Sequence, residues 1–333
     1  MPTPIPSLIG RLAPSPTGAQ HIGNARTSLI AWLSLRSRGG RVILRIEDID
    51  SPRVKPWAAQ QAIDDLRWLG LDWDEGPDLG GPHAPYVQTE RVAHYAEALE
   101  QLKRGSLIYP CTCTRTDISL AASAPHLGQE GPLYPGTCSH RTPQDAASLT
   151  TEYAWRFRVS DRSHEINDRF AGPVRCCPAQ ELSDFVIGKK DGTTAYQLAV
   201  VVDDHAMGVT EVCRGDDLLP SAFRQHELYE AFGWPTPQFV HVPLVVGPDG
   251  RRLAKRHGDT RISILRERGI PPERLLGLLA WSCGWQVDCR SVSIAELLSS
   301  FDLSRIPRTP FVMTDAMWGE LQEVPGTQCF TLR

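Results

Sequence analysis

No run of eighteen apolar residues occurs in this chain of 333 residues, so no membrane span is expected. A secretion signal is missing too: the opening segment is broken by Pro2, Pro4 and Pro6 and has no basic stretch leading into an apolar one. The expected location is the cytoplasm. A cationic surplus is also absent, with 35 Lys and Arg against 39 Asp and Glu and a formal charge of −4. Proteins that coat nucleic acid draw most of their non-specific affinity from such a surplus. Any RNA contact is therefore expected to be local, at Arg36, Arg38 and Arg41 or at Arg251 and Arg252, each of which also reads as a solvated helix end or loop. Internal repeats and low-complexity segments are lacking. Nine cysteines, an odd number without an export signal, do not make a disulfide framework. Six of them (Cys176, Cys177, Cys213, Cys283, Cys289 and Cys329) read as small buried or half-buried hydrophobes.

What is present is an alternation of strand and helix signals over the first hundred residues. Leu8 to Leu12 reads as a strand, Asn24 to Arg38 as a helix closed by Gly39-Gly40, and Arg41 to Ile46 as a second strand. Trp57 to Leu69 and Glu90 to Lys103 read as amphipathic helices, and the order argues for a parallel βαβ sheet. Between Tyr109 and Gly192 helical signals fade and Gly, Pro, Cys and Ser become frequent, with one strand at Tyr153 to Val159. Ala195 to Val202 is a near-continuous apolar run, expected to be a strand buried on both faces. Val209 to Cys213 and Phe239 to Val246 are further strands, with a helix at Ser221 to Phe232 between them. From Pro272 onward the pattern is helical. The expected division is residues 1–108 and 193–270 as two halves of an α/β domain, 109–192 as an inserted module, and 271–333 as a short helical region.

Four groups of residues carry chemistry. Pro14 to Asn24 (PSPTGAQHIGN) lies between a strand and a helix, so the free N–H groups and positive dipole end of that helix suit phosphate binding. Gly18 and Gly23 let the backbone approach a ligand, and His21 can donate to a phosphate oxygen. Arg251 to Gly258 (RRLAKRHG) follows the turn Gly247 to Gly250, and its cations could clamp a triphosphate. Arg11, Ser15, Glu47, Tyr196 and Arg214 are dispersed at expected strand ends, where open α/β sheets bind ligands. Two arginine forks and an anion would match an amino acid carrying two carboxylates and one ammonium. Last, Cys111 and Cys113 with Tyr134 and Cys138 offer three thiolates and a phenol oxygen for a four-coordinate zinc ion, with His126 or His140 as alternatives to the tyrosine. Such an ion would be structural, tying together a module poor in apolar residues. His205 reads as a loop residue beside the site, and Trp281 and Trp285 as core.

The string PSPTGAQHIGN resembles the HIGH signature of class I aminoacyl-tRNA synthetases in its glutamyl form, and Arg252 to Arg256 resembles the KMSKS loop. The second string departs from the pattern at Arg252, Ala254 and Arg256 and keeps Lys255. GRLAPSPTG, LRIEDID, AYQLAVVVDD and EVCRGDDLL resemble the substrate residues of glutamyl enzymes, and the cysteine spacing resembles their zinc-binding insertion. The resemblance implies a Rossmann-like parallel sheet with an inserted zinc module. It assigns glutamate to Arg11, Leu12, Ala13, Pro14, Ser15, Glu47, Tyr196 and Arg214, and ATP to Gly18, His21, Gly23, Asn24 and Lys255. His21 and Lys255 would be the catalytic pair, Zn2+ would sit at Cys111, Cys113, Tyr134 and Cys138, and Mg2+ would arrive with ATP. About 75 residues follow Gly258, fewer than an anticodon-reading enzyme of this kind carries. The chain thus resembles the glutamyl-queuosine tRNA(Asp) synthetases, a short paralogous family. There L-glutamate is activated without tRNA and passed to queuosine in the anticodon stem-loop of tRNA(Asp). A monomer is expected. A truncated glutamyl-tRNA synthetase charging a 3′ end and a non-catalytic amino-acid or nucleotide binder are the alternatives.

Overall fold

The computed structural model describes residues 7–49, 54–121, 133–253 and 260–323. Strand β1 (Ile9–Leu12), helix α1 (Ile22–Arg36) and strand β2 (Arg41–Leu44) form the first βαβ unit, with Ile9 opposite Arg41 and Leu12 opposite Leu44. Gly10 is required here: a Cβ on it would sit 2.6 Å from Leu35 Cδ1 of the overlying helix. Helix α1 is buried nearly all round, because it lies between the sheet and later helices. Helices α2 (Ala58–Trp68) and α3 (Val92–Arg104) follow, as their amphipathic patterns require.

Next come β3 (Ile108–Cys111), α4 (Arg115–Ala121), β4 (Ala154–Phe157), the hairpin β5 (His164–Asp168) and β6 (Gly172–Cys176), the single turn α5 (Pro178–Glu181) and β7 (Phe185–Gly188). β3, β4 and β7 make an antiparallel sheet. It shares a core with the helices beside it: Ile108, Phe157, Phe185 and Ile187 pack with Tyr95 and Leu102 of α3. The expectation that this segment is too poor in apolar residues to fold by packing is corrected on that point. The small cluster of Tyr109, Cys111, Tyr134 and Cys138 is separate from that core, with Cys113 and Ile118 packed against its edge.

The apolar run at 195–202 is not a strand. It is helix α6 (Tyr196–Ala206), with Leu198, Ala199, Val200, Val201 and Val202 all buried. A helix enclosed on every side shows no polar face, so its pattern is indistinguishable from that of a buried strand, and burial outweighs the strand preference of three valines. His205 is accordingly helical, stacked on Trp234 with ring centroids 3.8 Å apart. Strand β8 (Glu211–Gly215), helix α7 (Leu219–Phe232) and strand β9 (Gln238–Val242) form the second βαβ unit. The expected strand at 239–246 breaks at Pro243, which has no N–H for a ladder, and resumes as β10 (Val245–Val246).

Helices α8 (Ile262–Glu267), α9 (Pro272–Ser282) and α10 (Ile294–Ser300), strand β11 (Phe311–Val312) and helix α11 (Asp315–Leu321) complete the chain. The last region is therefore not purely helical: β11 pairs with β10, Val245 opposite Phe311. Buried Arg26 ties α1 to α9, donating to Ser282 Oγ at 3.0 Å and to the Pro243 carbonyl at 2.6 Å. No described helix is long and apolar enough to cross a membrane.

The central sheet is wholly parallel, in the order β2-β1-β8-β9. From β1 the chain crosses over to one side and from β8 to the other. A crevice must therefore open past the C-terminal ends of β1 and β8.

Candidate active site

A cavity of about 640 Å³ occupies that crevice. Arg11 and Leu12 reach it from the end of β1, Cys213 and Arg214 from the end of β8, and Tyr196 from the first turn of α6. Ala13, Pro14, Ser15, Gly18, His21, Gly23, Asn24 and Glu47 also line it, so every described residue expected to bind an amino acid or ATP faces one space. Lys255, with the rest of 254–259, lies outside the described residues, as do His126 and Cys329. Arg252 and Leu253 line the cavity, and Arg261 pairs with His21 in an antiparallel bridge. Thr27, Ser28 and Lys189 line it too, unmarked in the sequence, as does Asp217 of the string EVCRGDDLL.

His21 is the N-cap of α1 rather than a residue before it. Its Nδ1 accepts from the Gly23 N–H at 3.1 Å, while the Asn24 side chain accepts from the His21 N–H at 3.2 Å. An imidazole whose Nδ1 is an acceptor carries its proton on Nε2. Burial, helped by the Arg252 charge, brings its pKa down to about 4, so the ring is neutral near pH 7. The cavity thus receives one neutral N–H donor beside the positive end of a helix.

Behind the amino-acid side lies a network of buried charges. Arg45, fully enclosed, donates to Glu47 Oε1 at 2.8 Å and stands 2.7 Å from Asp204. Asp203 receives Arg91 at 2.6 Å, Gln88 at 2.9 Å and Tyr95 at 2.9 Å. Arg11 is held more loosely, 3.4 Å from Asp204 and 3.4 Å from the Cys213 carbonyl. Asp203 and Asp204 end the string AYQLAVVVDD, but the sequence assigns them no role, because the run before them reads as a strand.

Arg214 is held at two of its three nitrogens, Nη2 donating to the Leu218 carbonyl at 3.4 Å. Its Nε donates to His241 Nε2 at 3.0 Å, and His241 Nδ1 in turn lies 2.7 Å from Asp168 Oδ2. Burial pushes His241 down and keeps it neutral, so Nδ1 donates to Asp168 and Nε2 is free to accept. Arg214 Nη1 is buried and has no hydrogen-bond partner among the described residues. An orphaned guanidinium N–H costs about 1–3 kcal/mol unless a ligand satisfies it. Two arginines, one carboxylate and a phenol around one space can hold a dicarboxylic amino acid.

At the edge of the three-stranded sheet, Cys111, Cys113 and Cys138 converge, their sulfur atoms within 4.8 Å of one another. Around a tetrahedral zinc ion sulfur atoms stand about 3.8 Å apart, and an oxygen ligand stands about 3.5 Å from each sulfur. Cys113 and Cys138 Sγ are 3.7 Å apart, and Tyr134 Oη is 3.4 Å from Cys111 Sγ and 4.0 Å from Cys113 Sγ. These four donors therefore fit zinc in size and chemistry. Burial raises the Cys138 thiol, but hydrogen bonds from the Thr112 backbone and from Tyr134 outweigh it and bring its pKa to about 7, toward the ligating form. Arg156 donates to Cys111 Sγ at 3.3 Å and covers the Tyr134 ring at 3.8 Å, placing a cation beside the thiolates. His140 is not in the group, and Cys176 is buried elsewhere.

Most arginines of the basic patches are paired with acidic neighbours: Arg36 with Asp72 and Asp74, Arg38 with Glu211, Arg41 with Glu75 and Arg252 with Asp217.

The model of the catalytic domain of class I tRNA synthetases for glutamate and glutamine matches residues 7–315. A glutamyl-Q tRNA(Asp) synthetase of Symbiobacterium thermophilum is 52% identical over 307 residues, covering 91% of this chain and 95% of the relative. The chain belongs to the glutamyl-Q tRNA(Asp) synthetase family. A glutamate–tRNA ligase of Syntrophus aciditrophicus is 40% identical, covering 92% of this chain and 63% of its own length. A crystal structure of a glutamate tRNA ligase from Elizabethkingia meningosepticum in complex with its amino acid superposes with a TM-score of 0.80 at 30% identity, over 95% of this chain and 68% of that one. Family membership makes the chain an ATP-dependent glutamate ligase on the class I catalytic fold.

Proposed function

We propose that this ligase activates L-glutamate as its adenylate and transfers it to queuosine in the anticodon loop of tRNA(Asp). The observation that carries the first step is the convergence of Arg11, Glu47, Tyr196 and Arg214 on the same cavity as the His21 end of α1. In this reading Arg11 and the orphaned Nη1 of Arg214 hold carboxylate, Glu47 neutralises the ammonium, and Tyr196, whose phenol burial keeps protonated, offers a hydroxyl. Leu12 to Ser15 form the wall between the glutamate and the phosphates. The helix end, Gly18, Gly23, Asn24 and the Nε2–H of His21 receive ATP, which arrives with Mg2+, and Lys255 contributes its charge.

A glutamate α-carboxylate oxygen attacks the α-phosphorus, the bond to the β-phosphate oxygen breaks, and pyrophosphate leaves with the electron pair. A hydroxyl oxygen of the modified nucleoside then attacks the activated carbonyl carbon. AMP departs, and the hydroxyl proton passes to solvent. No protein nucleophile is needed; positioning and charge stabilisation supply the rate. Zinc on Cys111, Cys113, Tyr134 and Cys138 would hold the edge of the antiparallel sheet and take no part in either step.

Glutamate-dependent ATP–pyrophosphate exchange tests the first step, and charging of queuosine-containing tRNA(Asp) against unmodified tRNA(Glu) tests the second. Exchange without tRNA, followed by labelling of tRNA(Asp) alone, is expected. Labelling of a tRNA(Glu) 3′ end instead would make the chain an ordinary glutamate–tRNA ligase. The 52% identity to a glutamyl-Q enzyme against 40% to a glutamate–tRNA ligase supports the first outcome.

Replacing His21 by alanine removes one donor from the phosphates and is expected to lower kcat about 100- to 1000-fold with little change in the KM for glutamate. Because the His21 pKa lies below that of a free imidazole, the unfolded chain binds more protons than the folded one between about pH 6.5 and 4. Its contribution therefore lowers stability as the solution is acidified through that window. Thermal melts from pH 7 to 4 should show a shallower decline in His21→Asn; equal slopes would contradict the assignment. His241→Ala should raise the KM for glutamate about tenfold, the value of one hydrogen bond to Arg214, and spare kcat. His241→Gln should recover part of the loss, and an unchanged KM in the alanine variant would remove His241 from the positioning of Arg214.

A further inference from the structure

Away from the cavity, β5 and α7 assemble a second group of metal-ligating side chains. His226 and Glu230 are one turn apart on α7 and share a face, and His164 opens β5 opposite them. One donor atom from each lies within 4.8 Å of the other two. Each imidazole has one nitrogen already committed. His164 Nε2 is 2.7 Å from Glu227 Oε1 and 3.0 Å from Ser160 Oγ, and Ser160 Oγ donates to the same Glu227 oxygen at 2.6 Å. His226 Nδ1 is 2.9 Å from Thr236 Oγ1.

The remaining nitrogens both face Glu230. His164 Nδ1 is 3.8 Å from its Oε2, and His226 Nε2 is 3.6 Å from its Oε1. These separations are too long for hydrogen bonds. A simple hydrogen-bonded pair would close, as His164 Nε2 and Glu227 Oε1 have done. Ligands about 2.0–2.1 Å from a tetrahedral cation stand about 3.4 Å apart, a few tenths of an ångström inside the spacing found here. Glu230, 36% exposed, can move in by that amount. Arg162 pairs with Glu230 from the outer side and, 63% exposed, can turn into solvent. Burial holds His226 below the ordinary histidine pKa, so its ring is neutral, as a ligand must be. A ligating histidine whose second nitrogen is fixed by a carboxylate or hydroxyl is the usual outer arrangement of a metal site.

We infer that His164, His226 and Glu230 form a second metal site, for a divalent transition cation of the zinc type, with water in the open position. Bound there, the cation would fasten the β5–β6 hairpin to α7. Two nitrogens and one carboxylate differ in softness from the three thiolates at Cys111, Cys113 and Cys138, so cobalt(II) distinguishes the two sites.

The experiment is titration of the metal-depleted full chain with cobalt(II), following the thiolate-to-cobalt band in the near ultraviolet and the ligand-field bands in the visible. Two equivalents are expected in the unaltered protein, only one of them with the thiolate band. Glu230→Gln and His226→Asn should each lose the equivalent without that band and keep the other, which also shows that they fold. Cys113→Ser should do the reverse, so that failure at one site cannot be mistaken for failure at the other. An unaltered protein that binds no equivalent lacking the thiolate band would overturn the inference. So would such an equivalent persisting undiminished in both α7 variants.

Discussion

Arg214→Ala is expected to reduce kcat/KM for glutamate in pyrophosphate exchange by about a hundred- to ten-thousand-fold. That is the value of two charge-assisted hydrogen bonds at about 1.5–3 kcal/mol each. Such bonds are the natural use of a guanidinium that is 95% buried, held on one side by His241 and orphaned at Nη1. Arg214→Lys keeps the charge but loses the planar fork, and should recover little of the activity. The loss should fall mainly on glutamate, with discrimination against glutamine weakened, since a neutral amide no longer leaves a fork unpaired. A variant that keeps its melting temperature and stays within tenfold of the parent would show that Arg214 is only a strut between β8 and His241.

Cys113→Ser should remove the metal and with it the fixed edge of the antiparallel sheet. Structural zinc supplies folding free energy directly, and the loss of one thiolate is expected to cost several kcal/mol. At about 2–4 °C per kcal/mol for domains of 150–250 residues, the melting temperature falls by about 10 °C or more. Prolonged treatment with a chelator should reproduce the shift in the parent and leave the variant unchanged. Exchange activity at low temperature should survive in part, because Ile108, Phe157 and Phe185 still pack against α3. Elemental analysis gives the decisive number. Equal zinc in parent and variant would rule out Cys113 as a ligand, and the 3.7 Å approach of Cys113 to Cys138 would then be that of two thiols.

The first βαβ unit was readable from residues alone, because β1 and α1 differ in period and are separated by the unmistakable loop of Pro14, Pro16 and Gly18. The site residues on that loop were readable for the same reason. Helix α6 was misread because enclosure on all sides erases the polar face by which a helix is recognised, and that error hid the role of Asp203 and Asp204 behind the arginines. β5, β6 and β11 left no usable signal, being short and paired with partners far off in the chain or across a turn.

By itself the sequence determined the family, and it singled out the loop Pro14 to Asn24, Arg11, Arg214 and Glu47 of the cavity, and the group Cys111, Cys113, Tyr134 and Cys138. Each rests on residue types at short spacing, which a linear chain displays directly. Only the tertiary structure decided that Asp204 lies behind Arg11, that His241 and Asp168 hold Arg214, and that His164 meets His226 and Glu230. Those pairs are brought together by sheet order and helix packing, across separations of 27 to 193 residues that no local pattern encodes.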